Sequence, residues 1–265
     1  MSFKSATVKI NEKDIYYKFI NTEFRSKNRP VLVFLHEGLG STAQWRNFPE
    51  LLSNITKCPA LVYDRYGYGK SEAIEGIRTS AYMPDEAFVV LPQLLEKLKI
   101  LEKVILIGHS DGGTIALLFA SRFTEKVAAV ITEADHVLSE TITLNGVRKV
   151  VEEYKSGGLK KLLSKFHDKK TDAMFYAWSN YWLNEEQKNW HIKDELPAII
   201  APVLIIQGKD DRYGSVKQIT VKLELIAGQT EVLFIPSCGH APHFEAMDMV
   251  LYRMKEFITG LLPSV

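Results

Sequence analysis

Six short apolar runs, separated by amphipathic segments of helical length, constrain this chain more than anything else in it. They lie at residues 31–35, 60–63, 104–107, 127–131, 203–207 and 231–235. Between most of them the apolar residues recur at helical spacing, over 86–98, 114–123, 216–227 and 246–262. Continuous apolar strands alternating with helices predict βαβ units and a mostly parallel sheet covered on both faces. The N-terminal stretches "TVKIN" and "IYYKFI" alternate apolar and polar residues instead, as an antiparallel edge hairpin would.

The 265 residues suffice for one large α/β domain with an insertion. Lys and Arg number 33 against 32 Asp and Glu, a formal charge of +1, so no electrostatic footprint points to nucleic acid or an anionic membrane. A small-molecule partner is expected, and the oligomeric state is not legible. "MSFKSATVKI" lacks the apolar stretch of a secretory signal, and Cys58 and Cys238 are the only cysteines, which predicts a reduced, cytoplasmic setting. No run approaches the roughly 20 apolar residues that a membrane helix needs.

One block breaks the alternation. Residues 136–199 contain no convincing strand but carry helical patterns and an aromatic-rich "MFYAWSNYWLNEEQKNW". A helical lid inserted over the carboxyl edge of the sheet explains the density of Tyr176, Trp178, Tyr181, Trp182 and Trp190 there, because aromatics commonly line ligand pockets. The core is then expected over 1–135 and 200–265.

"VILIGHSDGGTIALLFA" runs strand, tight turn, helix, with Gly108-His109-Ser110-Asp111-Gly112 at the junction. A serine on such a turn stands clear of the backbone, and glycines on either side let strand and helix pass closely. Its hydroxyl needs a histidine to take the proton and a carboxylate to orient that histidine. Candidates follow later strands in the order acid then base: Asp210 and Asp211 in "QGKDDRYG", and His240 and His243 in "CGHAPHFE". His240, directly after Gly239, is the better base. His36-Glu37 in "VLVFLHEGLGS" begins like a zinc helix, but the second histidine of H-E-x-x-H would fall at Gly40. No metal site is predicted.

Together, "LHEGLGS", "DRYGYGKS", "GHSDGG", "GKDDRYG" and "GHAPHFE" resemble the motifs of the α/β-hydrolase fold over nearly the whole chain. The resemblance implies an eight-stranded sheet whose carboxyl edge carries Ser110, Asp211 and His240 as catalytic residues, with a cap inserted after the sixth strand. It also implies an oxyanion hole formed by the backbone amides of Gly38 and Asp111. Family members usually show H-G-x-x-G after the third strand, and this chain has Glu37 where the first glycine stands. Glu37 is expected either to cap a neighbouring segment or to pair with Arg65. Glu37 and His109, with Trp178, Tyr181 and Trp182 of the helical block, are the expected substrate contacts, and His36 a buried structural residue.

A serine at this position argues against the branches that attack with aspartate, the haloalkane dehalogenases and epoxide hydrolases. The resemblance implies hydrolysis of a carboxylic ester, lactone or thioester with no metal or organic cofactor. Carbon–carbon bond hydrolysis of a vinylogous diketone is the alternative, followed by a hydroxynitrile lyase and by a small-molecule receptor that turns its ligand over slowly.

Overall fold

A computed structural model describes residues 3–26 and 28–262. Eight strands form one sheet: β1 (Phe3–Ile10), β2 (Lys13–Ile20), β3 (Val31–Leu35), β4 (Ala60–Tyr63), β5 (Val104–His109), β6 (Val127–Glu133), β7 (Val203–Gly208) and β8 (Thr230–Ile235). Their spatial order is β1-β2-β4-β3-β5-β6-β7-β8. The hairpin β1–β2 is antiparallel and joins β4 antiparallel; every other pairing is parallel.

The helices are α1 (Phe48–Thr56), α2 (Tyr82–Asp85), α3 (Leu91–Lys97), α4 (Asp111–Arg122), α5 (Thr141–Lys155), α6 (Gly158–His167), α7 (Thr171–Leu183), α8 (Val216–Leu225), α9 (Pro242–Glu245) and α10 (Met247–Gly260). The central strands are buried on both faces, which is why they read as unbroken apolar runs. Val33, Leu106 and Ile205 face a core shared with α3, α4 and α8, while Leu32, Phe34, Ile105 and Leu204 face one shared with α1 and α10. The edge strand β8 alternates between half-buried and exposed residues.

Some boundaries differ from the sequence reading. The helix expected over 86–98 starts earlier, as α2, and runs through a π-helical turn, Glu86–Val90, into α3. The start of α4 is Asp111, three residues before its apolar periodicity becomes visible. Helix α1 was not anticipated. Between β6 and β7 lie α5, α6 and α7 and no strand of the sheet, only a single bridge between Leu138 and His191. Among the described residues no helix is long and apolar enough to cross a membrane, and both cysteines are buried free thiols.

Candidate active site

The parallel strands all end on one edge, and the loops that leave it bring together residues far apart in sequence. Ser110 follows β5 with φ 52° and ψ −120°, a conformation that costs a non-glycine residue on the order of 1–3 kcal/mol and persists only where neighbours enforce it. They do. The Ser110 N–H donates to Glu133 C=O (2.8 Å), and the Ser110 carbonyl accepts from Gly113 and Thr114 at the start of α4. A Cβ at Gly108 or Gly112 would collide with the backbone of the turn or of β3, so both flanking glycines are required by close approach.

His240 arrives from the loop after β8. Its Nε2 lies 3.0 Å from Ser110 Oγ, and its Nδ1 lies 2.9 and 3.0 Å from the two carboxylate oxygens of Asp211. The contact falls to Asp211 and not to its neighbour Asp210, which is exposed. Gln207 Nε2 and the Tyr213 N–H donate to the Asp211 oxygens at 2.7 and 2.8 Å. Burial alone would raise the Asp211 pKa, but the His240 imidazole and the Tyr213 N–H outweigh it and hold the carboxyl at about 2. Asp211 therefore remains an acceptor, which fixes the proton of His240 on Nδ1 and leaves Nε2 free to accept from the serine.

Two further residues brace the array, Glu245 at His240, which the sequence did not reveal, and His243 at the serine turn. Glu245 in α9 accepts the N–H groups of Gly239 (2.7 Å) and Ala241 (3.0 Å), on either side of the histidine. His243, which falls in α9, is buried and donates its backbone N–H to Glu133 Oε2, with its ring Nδ1 also 2.9 Å from that oxygen. It thus braces the residue that holds the Ser110 amide.

The loop after β3 departs from the sequence expectation. Arg65 does not pair with the Glu37 carboxylate. Its guanidinium donates to the backbone carbonyls of His36 and Glu37, the latter at 2.9 Å, and the Glu37 carboxylate turns instead to His109, with Oε2 3.5 Å from Nδ1. His109 Nε2 lies 2.6 Å from the His240 carbonyl, an obligate acceptor, so that nitrogen carries a proton. Burial disfavours charge on His109, but Glu37 outweighs it and raises the histidine's pKa; the same pairing overcomes burial to hold Glu37 well below the usual carboxylate range. One ring thus ties together the loop after β3, the serine turn and the His240 loop. His36 is fully buried, as expected.

These loops enclose a cavity of about 100 Å³ lined by Glu37, Gly38, Leu39, Ser110, Asp111, His136, Thr143, Val147, Val150, Trp178, Trp182, Tyr213 and His240. Of the expected substrate contacts, Glu37, Trp178 and Trp182 are on its wall. His109 is not, being turned toward Glu37 and the His240 loop. Nor is Tyr181, which is buried behind Trp182 against Tyr82. His136, unflagged in the sequence, lies near-parallel to His240 with ring centroids 6.0 Å apart, and burial together with His240 lowers its pKa to about 4. A separate cleft of about 480 Å³ beside the β1–β2 hairpin is lined by Tyr66, Arg78, Tyr82 and Glu86 among others and shares no residue with this cavity. Among the described residues no group of three His, Cys, Asp or Glu side chains is placed to hold a metal ion.

Comparison with known proteins agrees with this fold. A family model described as alpha/beta hydrolase fold matches residues 30–184. A proline iminopeptidase of Saccharolobus solfataricus is 26% identical, the alignment covering 92% of this chain and 89% of that protein. A 2-hydroxy-6-oxononadienedioate/2-hydroxy-6-oxononatrienedioate hydrolase of Klebsiella pneumoniae is 28% identical over 83% of this chain and 84% of its own length. Among solved structures, a thermophilic esterase from Thermogutta terrifontis superposes with a TM-score of 0.73 at 20% identity, covering 98% of this chain and all of that one (100%).

Proposed function

This chain belongs to the alpha/beta hydrolase fold family, and from that premise we propose that it is a serine hydrolase of small carboxylic esters or lactones. The observation that carries the reading is the unbroken contact series from Asp211 through His240 to a Ser110 held at positive φ. In the proposed reaction His240 Nε2 takes the Ser110 proton as Oγ attacks the carbonyl carbon. The charge that develops on the carbonyl oxygen is met by the N–H groups of Gly38 and Asp111. Collapse expels the alcohol, which takes the proton from His240, and leaves an acyl group on Ser110. A water deprotonated by His240 then attacks the acyl carbon and releases the acid. Helices α5 and α7 act as a cap, supplying Thr143, Val147, Val150, Trp178 and Trp182 to the pocket.

The carbon–carbon bond reading draws on relatives such as the Klebsiella hydrolase, whose substrate by its name is a dioate. No Lys or Arg lines the cavity, whereas Glu37 and Asp111 do; His109 offsets the charge of Glu37, but no cation on the wall is placed to pair with a second anion. Uncharged acyl groups of short length fit its 100 Å³ better. The test is turnover of 4-nitrophenyl acetate and butyrate beside a 4-nitrophenyl dicarboxylate monoester and a vinylogous diketone. Rapid, repeated release of nitrophenol from the neutral esters is expected. Faster cleavage of the diketone would favour the alternative, and a single slow turnover a receptor.

A further inference from the structure

Three polar atoms of cavity-lining residues make no hydrogen bond among the described residues, His136 Nδ1, Asp111 Oδ2 and Trp178 Nε1, and the last two stand together. Their residues are only 1% and 7% exposed, so neither atom is satisfied by bulk water. Both converge on one place. A Cβ built on Gly38 would collide with the indole nitrogen and stand 2.9 Å from Asp111 Oδ2. The carboxylate is held in this orientation because its other oxygen accepts the Trp182 indole N–H at 3.1 Å. An obligate donor and a carboxylate oxygen thus stand close together where the indole packs on Gly38, on residues that line the cavity, without satisfying each other, an arrangement that is costly unless a third group pairs with both.

We propose that Asp111 Oδ2 and Trp178 Nε1 form a subsite for a substrate hydroxyl, which donates to the carboxylate and accepts from the indole. The choice of group follows from hydrogen-bond sense. An ammonium has no lone pair for the indole. A ketone or ether has no proton for Asp111, and a carboxylate adds repulsion to that lack. A methyl group leaves both atoms unpaired. The inference rests on the serine hydrolase reading, in which Gly38 lends its amide to the oxyanion, so the hydroxyl sits within a few bonds of the reacting carbonyl, on the acyl or on the alcohol part.

The test compares ethyl butyrate, ethyl 3-hydroxybutyrate and 2-hydroxyethyl butyrate by titrating released acid at constant pH. One hydroxylated ester is expected to exceed ethyl butyrate in kcat/KM by at least about tenfold, since a site built to pair a hydroxyl discriminates against its absence. Which of the two does so identifies the part of the substrate. Trp178→Phe removes the donor. In Asp111→Asn the Trp182 N–H retains the amide oxygen, so an NH2 replaces Oδ2 and the acceptor is lost. Each variant should bring the ratio near one, and because the readout is a ratio, a general loss of rate does not imitate the result. A wild-type ratio near one, or a preference that survives both substitutions, would mean the pair binds water only and would overturn the proposal. Labelling of Ser110 by a fluorophosphonate without turnover of any of the three esters would also overturn it while leaving the nucleophile assignment intact. Absence of labelling would remove the underlying reading, and the subsite with it.

Discussion

Asp210 and Asp211 are adjacent carboxylates with different surroundings, and substitution should separate them. Asp211→Asn keeps the fold but favours the wrong tautomer of His240, with an expected loss in turnover on the order of 10⁴-fold. Asp210 is exposed, and Asp210→Asn should change turnover by less than about threefold; the reverse ranking would move the acid by one position. Glu37 offers a second residue-level test. It sustains the charge on His109, whose pKa is raised, so the imidazolium is present below that raised value and is lost as pH climbs through it. The other groups facing this ring are Glu133, His240 and His243. Glu37→Gln should therefore move the alkaline limb of the kcat profile to lower pH while KM changes little, and superimposable profiles would show that the pair does not position the base. Ser110 and His240 were legible because each follows its own strand in the required order, whereas that order left Asp210 and Asp211 both open and only the family resemblance pointed to Asp211. Glu37–His109 was not legible, since nothing local to "HEGLG" says that a ring from the next strand's turn lies against it.

At the level of elements, the wall of the cavity and the packing behind it make opposite predictions. Trp178→Ala and Trp182→Ala should reorder acyl chain lengths, because both side chains line the pocket. Tyr181→Ala should lower Tm, by an amount corresponding to about 3–5 kcal/mol, and leave that order unchanged. A changed order in the Tyr181 variant would place it on the substrate's path. Helix α8 hides a further dependence. Lys222 is fully buried and ion-paired to Asp135, itself fully buried, which follows β6. Lys222→Met should cost about 3–5 kcal/mol by stranding that carboxylate, seen as a lower denaturation midpoint, and a double substitution with Asp135→Asn should recover part of it. Nothing in "VKQITVKLELIA" marks this lysine as buried, because periodicity locates a helix but not the charge waiting beneath it. The central strands were plain for the opposite reason: burial on both faces leaves no polar position to break the run.

For the whole molecule, one buried acid sets a pH dependence of stability independent of catalysis. Burial raises the pKa of Glu86, against the opposing charges of Arg65 and Arg78, from an ordinary 4.5 to about 7. Between those values the folded chain holds a proton that the unfolded chain releases, so stability falls as pH rises across the window, by about 3 kcal/mol in total. Glu86→Gln should flatten that decline in thermal unfolding followed from pH 4.5 to 8, and an unchanged slope would assign the dependence elsewhere. The eight-stranded frame makes the function possible by ending its parallel strands on one edge, where loops separated by more than a hundred residues place Ser110 and His240 3.0 Å apart. The most direct measurement of that claim is intact and peptide mass spectrometry after a fluorophosphonate reacts with the folded protein. A single adduct on the peptide containing Ser110, absent from Ser110→Ala, is expected, together with a loss of ester turnover in that variant of at least about 10³-fold. An unmodified Ser110, or ester hydrolysis that survives its replacement, would contradict the assignment.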